Sequence, residues 1–380
     1  MLHMLPRLFQ ASETVIKRGS LIRLQFLQGE RAALLVGAKS LKESGNLAKI
    51  QNFLSKAKIE TTLIEGISGD PTVNMIRTTV EKFSTLQPDW IIAAGGGAVM
   101  DCAKLARFFY ENPDLDIADI LKPFSVPGSH KKIKLALVPT TSGTGSEASH
   151  VAVVKESNNG HKIPLVSERF IPDLAILDAT LTVNLSPAVT AYTALDAFTH
   201  AVESYCSRAN NLLSDAYALM AGRLITQHLT VSLSEPRNIK SRENLLYAAL
   251  FAGIAQNLAA VGGVHALSHA LGGKTGFPHG YGNAIFLIPV LTFNAQNSPR
   301  PAQFASETGF SELQELFDWI SGILTTAGLS QNWHQVVSET IKTELNTAEI
   351  AEMALNDVCL RTNPVKMEKN DVRQILEETR

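Results

Sequence analysis

A chain of 380 residues with 45% hydrophobic and 18% charged side chains is longer than most single cores, which predicts a globular protein of two domains. The net charge of −2 gives no electrostatic basis for binding nucleic acid or a membrane surface, and no run approaches the roughly 18 apolar residues of a membrane span. Cys102, Cys206 and Cys359 form no CxxC pair, which argues against a disulfide framework and favours the reducing cytoplasm.

The first half of the chain alternates short apolar runs with helical patterns. Strands are predicted at Ala32–Val36, Trp90–Ala94, Leu135–Val138 and Leu174–Leu177. Helices are predicted between the early strands at Asn46–Ala57 and Pro71–Leu86. Continuous apolar strands that alternate with helices are typical of a parallel sheet covered on both faces.

A glycine-rich turn, AGGGAVMDCAK at Ala94–Lys104, follows one predicted strand and opens a helix. Glycines let the backbone approach phosphates, and the helix N-terminus offers free N–H groups and partial positive charge. A plain strand-to-helix turn is the alternative. The pattern is not GxGxxG and no acidic residue follows at the Rossmann distance, so we expect a pyrophosphate-binding turn of another kind.

A second loop, PTTSGTGSE at Pro139–Glu147, also follows a predicted strand. Its hydroxyls and the amides freed by glycine can hydrogen-bond a nicotinamide or ribose, although such clusters are more often simple loops. Because open α/β folds bind ligands at the carboxyl ends of strands, the shared placement of the two loops favours a dinucleotide site.

After about residue 184 the pattern becomes helical. Helices are predicted at Pro187–Ser207, Leu212–Leu233, Ser241–Ala260, Gly263–Gly272, Leu313–Ala327 and Thr347–Asn356. The stretch Asn297–Glu307, rich in Pro, Ser and Ala, is predicted to be a loop. We therefore expect an α/β dinucleotide-binding domain with a parallel sheet over residues 1–184 and an all-α, metal-binding domain over residues 185–380.

Histidines and an aspartate recur at helical spacing in the second half. Asp196 and His200 are four residues apart, as are His265 and His269, so each pair projects from one helix face; His279 follows after a turn. One carboxylate with imidazoles suits Fe²⁺, Zn²⁺ or another divalent ion. Buried structural histidines are the alternative, and the absence of HExxH argues against a zinc protease.

At this point the sequence resembles the iron-containing (group III) alcohol dehydrogenases over nearly its whole length. The resemblance rests on five motifs in order: GGGAVMDCAK, PTTSGTGSE, IPDLAILDATLTVNLSP with LDAFTHAVESY, HALSHALGGKTGFPHGYGNA, and Asp357 with Asn363–Pro364. It implies a dehydroquinate synthase-like architecture, in which a cleft separates the α/β domain from the helical domain. Ala98, Ala194 and Ala266 depart from the family pattern, but none of them removes a ligand.

The resemblance also implies roles for single residues. The implied metal ligands are Asp196, His200, His265 and His279. The implied cofactor residues are Gly96, Gly97 and Ala98 at the pyrophosphate with Asp101 close by, Thr140, Thr141 and Thr144 near the nicotinamide, Lys162 near a ribose, and Ala38 after the first strand. His269 is the implied proton relay, with a buried structural histidine as the alternative reading.

The expected reaction is hydride transfer between NAD(P)(H) and a small alcohol or aldehyde. Gly37-Ala38-Lys39 stands where NAD-preferring relatives tend to carry Asp, which favours NADP(H). Lys274 and His150 would favour an anionic aldehyde if they faced the cleft; a surface lysine and a solvated histidine are the expected alternative.

Other functions also fit the sequence. Glycerol dehydrogenase-like and maleylacetate reductase-like enzymes share the expected fold, as does a non-catalytic cofactor-binding relative. No nucleic-acid or membrane partner is expected, and the family resemblance implies a homodimer or larger homo-oligomer.

Overall fold

The computed structural model describes residues 7–116, 132–156, 160–338 and 345–380. The strands are β1 (Glu13–Ile16), β2 (Arg31–Gly37), β3 (Glu60–Ile67), β4 (Trp90–Gly95), β5 (Lys134–Pro139), β6 (Val151–Lys155), β7 (Lys162–Val166) and β8 (Leu174–Leu177). The helices between them are α1 (Ser40–Glu43), α2 (Asn46–Lys56), α3 (Val73–Leu86) and α4 (Gly97–Glu111).

Six strands form one parallel sheet in the described part of the chain, in the order β1-β8-β5-β4-β2-β3. The four predicted strands β2, β4, β5 and β8 lie at its centre and are almost wholly buried. Separate apolar clusters cover the two faces, one built around α2 and the other around α3 and α4. The predicted parallel sheet is confirmed.

The remaining helices follow β8. They are α5 (Pro187–Cys206), α6 (Leu212–Ser234), α7 (Ile239–Ala259), α8 (Gly263–Thr275), α9 (His279–Ala295), α10 (Arg300–Glu307), α11 (Leu313–Thr326), α12 (Trp333–Val336), α13 (Thr347–Asn356) and α14 (Lys369–Glu378). A single apolar cluster joins them. The helical character expected for this half is therefore confirmed.

One predicted loop is a helix. The segment expected to be a loop at Asn297–Glu307 contains α10, whose second position is Pro301. Proline is tolerated in the first turn of a helix because its missing N–H would have no intrahelical partner there. Phe304 and Ala305 then bury one face of the helix, which supplies the packing that the composition concealed.

No described helix is by itself long and apolar enough to cross a membrane. The pair α7 and α8 meets that test only when taken together, and the two helices bend by 103° at their junction.

Candidate metal centre and cofactor cleft

The glycine-rich turn and the Ser/Thr-rich loop lie side by side. Strands β4 and β5 are paired with Gly95 opposite Pro139, so both segments leave the sheet at its carboxyl edge. A methyl group added at Gly97 would come within 2.7 Å of Thr144 Cγ2, and one at Gly96 would lie 3.6 Å from Thr141 Oγ1. The two loops thus form one continuous surface.

This surface lies at the switch point of the sheet. Strand β2 pairs with β3 on one side and β4 on the other, so the connections after β2 and after β4 run in opposite directions. Dinucleotides bind outside the carboxyl ends of strands at such a point. Ala38 follows β2 and is exposed there, while the partly exposed Gly96, Gly97 and Ala98 begin α4.

Asp101 contacts the neighbouring loop with both carboxylate oxygens. Oδ1 accepts a hydrogen bond from Ser146 Oγ at 2.6 Å, and Oδ2 accepts one from the Val153 backbone N–H at 3.0 Å. Lys104, one turn further along α4, donates to the carbonyl oxygens of Ser149 and Val151. These bonds fix the Ser/Thr-rich loop and the β6 strand against the helix that carries the glycine turn.

The Lys162 side chain lies in the interior of the protein. It is almost fully buried, and Nζ lies 3.0 Å from Asp70 Oδ2. A methyl group added at Gly272 of α8 would come within 3.0 Å of the same Nζ. Lys162 therefore stands between the sheet side of the cleft and the helices of the metal centre.

Three helices bring the four expected metal ligands together. Asp196 and His200 lie one turn apart on α5, His265 lies on α8, and His279 is the first residue of α9. One ligand atom from each of the four lies within 4.8 Å of the others. His279 Nε2 is 3.6 Å from Asp196 Oδ1, close to the edge of a coordination tetrahedron with bonds of about 2.1 Å.

The electrostatics of this cluster fit a cation. Burial raises the pKa of the Asp196 carboxyl to about 6, although the neighbouring His265 and the hydrogen bond from Asn283 oppose that effect. Burial also lowers the pKa values of His200 and His279 well below the usual value, so both imidazoles are neutral. Neutral imidazole is the form that binds metal. The donor set therefore fits a borderline divalent ion.

Several ligands have fixed outer contacts. Glu203 Oε2 accepts from His265 Nδ1 at 2.6 Å, and Ser268 Oγ lies 3.3 Å from His279 Nδ1. His200 Nδ1 is buried and has no hydrogen-bond partner among the described residues. Histidine ligands usually make a second-nitrogen hydrogen bond that fixes the tautomer. Glu203 was not singled out from the sequence, because its position three residues after His200 does not show that its partner is His265.

His269 belongs to a neighbouring pair. Its ring centroid is 5.1 Å from that of His279, and its Nδ1 lies 2.8 Å from Asp357 Oδ2. Burial raises the pKa of Asp357, but the charge and hydrogen bond of His269 and the bonds from Cys359 outweigh it and lower that pKa to about 2. An ionised Asp357 only accepts, so His269 Nδ1 is the donor in this bond, and in the neutral imidazole the lone pair is then on Nε2.

The terminal Asn-Pro signature supports α8 from its N-terminal end. Asn363 Oδ1 accepts from the Gly263 backbone N–H at 3.0 Å, and its Nδ2 donates to Asn294 Oδ1 at 2.8 Å. Asn363 and Asp357 thus act on the same helix, at its start and beside His269.

Neither residue considered for an anionic substrate offers an unpaired positive charge. Lys274 Nζ is ion-paired with Glu349 near the surface. His150 is not solvated: burial and the nearby Lys104 lower its pKa to about 4, and its Nδ1 has no partner among the described residues. The expectation of a solvated His150 is wrong because the ring packs beneath Phe9, with centroids 5.9 Å apart.

Comparison with known proteins identifies the family. Residues 11–179 match the iron-containing alcohol dehydrogenase family, and residues 190–379 match the C-terminal part of the Fe-containing alcohol dehydrogenase family. The chain belongs to the iron-containing alcohol dehydrogenase family. It is a metal-dependent oxidoreductase that uses NAD(P) and transfers hydride to or from a small alcohol or aldehyde.

Named relatives and solved structures align with nearly the whole chain. It is 33% identical to an NADPH-dependent butanol dehydrogenase of Clostridium saccharobutylicum over 95% of this chain and 94% of the relative. It spans 46% of a bifunctional aldehyde-alcohol dehydrogenase of Escherichia coli at 32% identity. An iron-containing alcohol dehydrogenase of Thermococcus thioreducens superimposes with a TM-score of 0.88 at 30% identity, covering 99% of both chains. A 1,3-propanediol oxidoreductase superimposes with a TM-score of 0.90 at 29% identity, covering 99% of this chain and all of that one.

Proposed function

We propose that Asp196, His200, His265 and His279 hold the divalent ion of this dehydrogenase. The observation that supports this proposal is the convergence of their ligand atoms, from three helices, to within 4.8 Å of one another. When bound, the ion supplies a Lewis acid that lowers the pKa of a substrate alcohol. The surrounding helices exclude water from one side of the site, since Asp196, His200 and His265 are buried.

The cofactor is assigned to the surface formed by the two loops at the carboxyl edge of the sheet. The residues assigned to it are Gly96, Gly97 and Ala98 for the pyrophosphate, Thr140, Thr141 and Thr144 for the nicotinamide half, Lys162 for a ribose, and Ala38 beside the adenosine. Asp101 supports this surface through its bonds to Ser146 and Val153. We place the division between the two domains near residue 184, between β8 and α5.

His269 is assigned the transfer of the substrate proton. Asp357 fixes His269 Nδ1 as a donor, which leaves Nε2 as the base. The ring lies beside His279, so a proton released near the metal centre has an acceptor within the same cluster. In alcohol oxidation His269 takes this proton, and in aldehyde reduction it returns it.

Metal removal and a ligand variant test this assignment. Chelated protein and the His265→Ala variant are expected to lose NADPH oxidation with a short aldehyde and to retain less than one equivalent of metal. The control is His228→Ala, because His228 bonds to Asn244 on another part of the helical half and touches no ligand. Full turnover by the chelated protein, or by His265→Ala, would refute the proposed centre.

We propose NADP(H) as the preferred cofactor. Lys39 and Lys42 are exposed next to Ala38, at the end of the strand beside β4, where their charges can attract a 2′-phosphate. The butanol dehydrogenase relative is named as NADPH-dependent. The wild-type kcat/KM is expected to be higher for NADPH than for NADH. The double variant Lys39→Ala, Lys42→Ala is expected to lower kcat/KM for NADPH by on the order of fivefold per lysine and to leave kcat/KM for NADH little changed. A higher wild-type kcat/KM with NADH would contradict this proposal.

Small neutral alcohols and aldehydes are the proposed substrates. Lys274 is paired with Glu349, so it offers no free charge to an anionic substrate.

We also propose a cytoplasmic homodimer or larger assembly. The buried free thiols of Cys102, Cys206 and Cys359 suit a reducing compartment. The exposed Leu212, Leu213 and Met220 of α6 offer an apolar face for self-association, which light scattering of the purified protein measures.

A further inference from the structure

Asn283 lies at the centre of the metal ligands. It is fully buried on α9, one turn after His279, and its side chain faces α5 and α8. Two glycines allow this close packing: a methyl group at Gly280 would come within 2.7 Å of the Tyr192 carbonyl oxygen, and one at Gly282 within 2.5 Å of Ser268 Oγ. Gly280 therefore lets α9 approach α5 closely, and Gly282 lets it approach α8 closely.

Three ligand atoms surround the Asn283 amide nitrogen. Nδ2 lies 2.7 Å from Asp196 Oδ1, 3.2 Å from His265 Nε2 and 3.3 Å from His279 Nε2. Among the residues that the structure describes, Asn283 is the one hydrogen-bond donor to the Asp196 carboxylate. The other carboxamide atom, Oδ1, is buried and has no hydrogen-bond partner there.

The orientation of this amide follows from its neighbours. With the amide reversed, Oδ1 would face Asp196 Oδ1 at hydrogen-bond distance, and two acceptors would repel each other. His265 Nδ1 donates to Glu203, so His265 Nε2 also presents a lone pair to the amide. The closest of these acceptors is Asp196 Oδ1, which has two lone pairs and can therefore accept this N–H and still bind a cation, whereas the single lone pair of each imidazole Nε2 can bind only one partner.

We propose that Asn283 is a positioning residue of the metal centre. It donates to Asp196 Oδ1 and so holds this carboxylate at the angle at which it meets the imidazoles of His265 and His279. Glu203 likewise fixes His265 by accepting a hydrogen bond from its Nδ1, and Ser268 contacts His279. Without Asn283, the Asp196 side chain would lose its fixed donor and would have to be ordered when the ion binds, which costs affinity. This inference rests on the proposed metal centre.

The test measures Co²⁺ binding by metal-free protein in competition with a chelator, together with the visible absorption of bound Co²⁺. Asn283→Ala is expected to bind Co²⁺ roughly 10- to 100-fold more weakly than wild type and to shift its absorption bands. Asn46→Ala is the control: Asn46 is also a buried asparagine on a helix, α2, and its side chain bonds to Lys49 of the same helix, away from the ligands. It should bind Co²⁺ like wild type.

Different results would refute the metal centre and the role of Asn283. Wild type that binds no Co²⁺ would refute the metal centre, and Asn283's role with it. Tight, equal binding with the same spectrum in wild type, Asn283→Ala and Asn46→Ala would refute only the role of Asn283. If thermal unfolding shows that Asn283→Ala does not fold, Asn283→Ser, whose shorter hydroxyl cannot reach Asp196, is judged by the same affinity and spectrum.

Discussion

Glu203 makes three hydrogen bonds with one carboxylate. It accepts from His265 Nδ1 at 2.6 Å and from the backbone N–H groups of Gly262 at 2.9 Å and Val264 at 2.7 Å. The same side chain therefore satisfies orphan donors at the start of α8 and fixes the imidazole of His265, a proposed metal ligand, on that helix. Since Glu203 is carried by α5, it also couples the two helices that bear most of the ligands.

Glu203→Gln is expected to weaken metal binding by roughly 10- to 100-fold. A carboxamide has one acceptor oxygen, so it cannot serve all three donors, and its NH₂ group would face one of them. Chelator competition with the purified protein measures the change. Glu243→Gln is the control, because Glu243 is an exposed acceptor of the Arg18 N–H far from the site. Equal metal affinity in the two variants would show that Glu203 does not support the centre.

Residue spacing predicted much of the candidate site. Two i, i+4 pairs and a following histidine were enough to propose a metal cluster, and the structure does bring Asp196, His200, His265 and His279 together. Glu203 and Asn283 were not singled out, because a buried Glu or Asn on a helix is recognised as a supporting residue only once its partners are known. Those partners lie 62 and 87 positions away in the sequence.

Secondary structure was predictable where burial is uniform. The central strands are continuous apolar runs, whereas β3 (ETTLIEGI) mixes polar and apolar residues and lies at the sheet edge, so no strand was predicted there. The β6–β7 hairpin and the edge strand β1 were missed for a similar reason: they are short and only partly buried. Helix α9 was not predicted: the turn expected before His279 was not followed by a predicted helix. The helix contains Pro289 and is nevertheless largely buried.

The turn between β4 and α4 makes a prediction at the scale of an element. Gly97→Ala would place its methyl group 2.7 Å from Thr144 Cγ2, pushing the Ser/Thr-rich loop away from the glycine-rich turn. We expect a loss of roughly 1–3 kcal/mol in the free energy of unfolding and a higher KM for NADPH. Denaturant unfolding and steady-state kinetics measure both.

The matched variant is Gly322→Ala in α11. Nothing lies within 4 Å of the added methyl group there, and alanine is the better helix former, so this change should stabilise the protein by about 0.5–1 kcal/mol. An unchanged KM in Gly97→Ala would mean that the spacing between the two loops does not matter for the cofactor.

At the scale of the whole molecule, the Ser/Thr-rich loop packs directly on the helical half. Gln256 donates to the Thr144 carbonyl oxygen at 3.2 Å, and Asn257 donates to that of Ala148 at 2.7 Å. Glu147 is buried between these contacts, beside a cavity lined by β1, α6 and α7. Burial raises the pKa of its carboxyl to about 7, although a backbone hydrogen bond and Lys104 oppose this effect.

Glu147 should therefore make global stability depend on pH. Its pKa in the folded protein exceeds its value of 4.5 in the unfolded chain, so its contribution is complete below about pH 4.5 and is lost as the pH rises through 7. Glu147→Gln is expected to gain up to about 3 kcal/mol over wild type between pH 5 and pH 8. Urea unfolding at both pH values measures it, with the exposed Glu81→Gln as control. A gain that is the same at both pH values would contradict the assignment.

Two pairs of glycines, Gly145 with Gly253 and Gly160 with Gly273, are in contact where the sheet side of the cleft packs on the helices. A methyl group at Gly145 would come within 2.6 Å of the Ala249 carbonyl oxygen and 2.7 Å of Gly253 Cα, and one at Gly160 would overlap the Gly273 carbonyl oxygen. Main chain therefore sets the separation between the two halves, and no rotamer change can adjust it. Side chains that line the cleft can therefore change without altering the spacing between the sheet side and the helices.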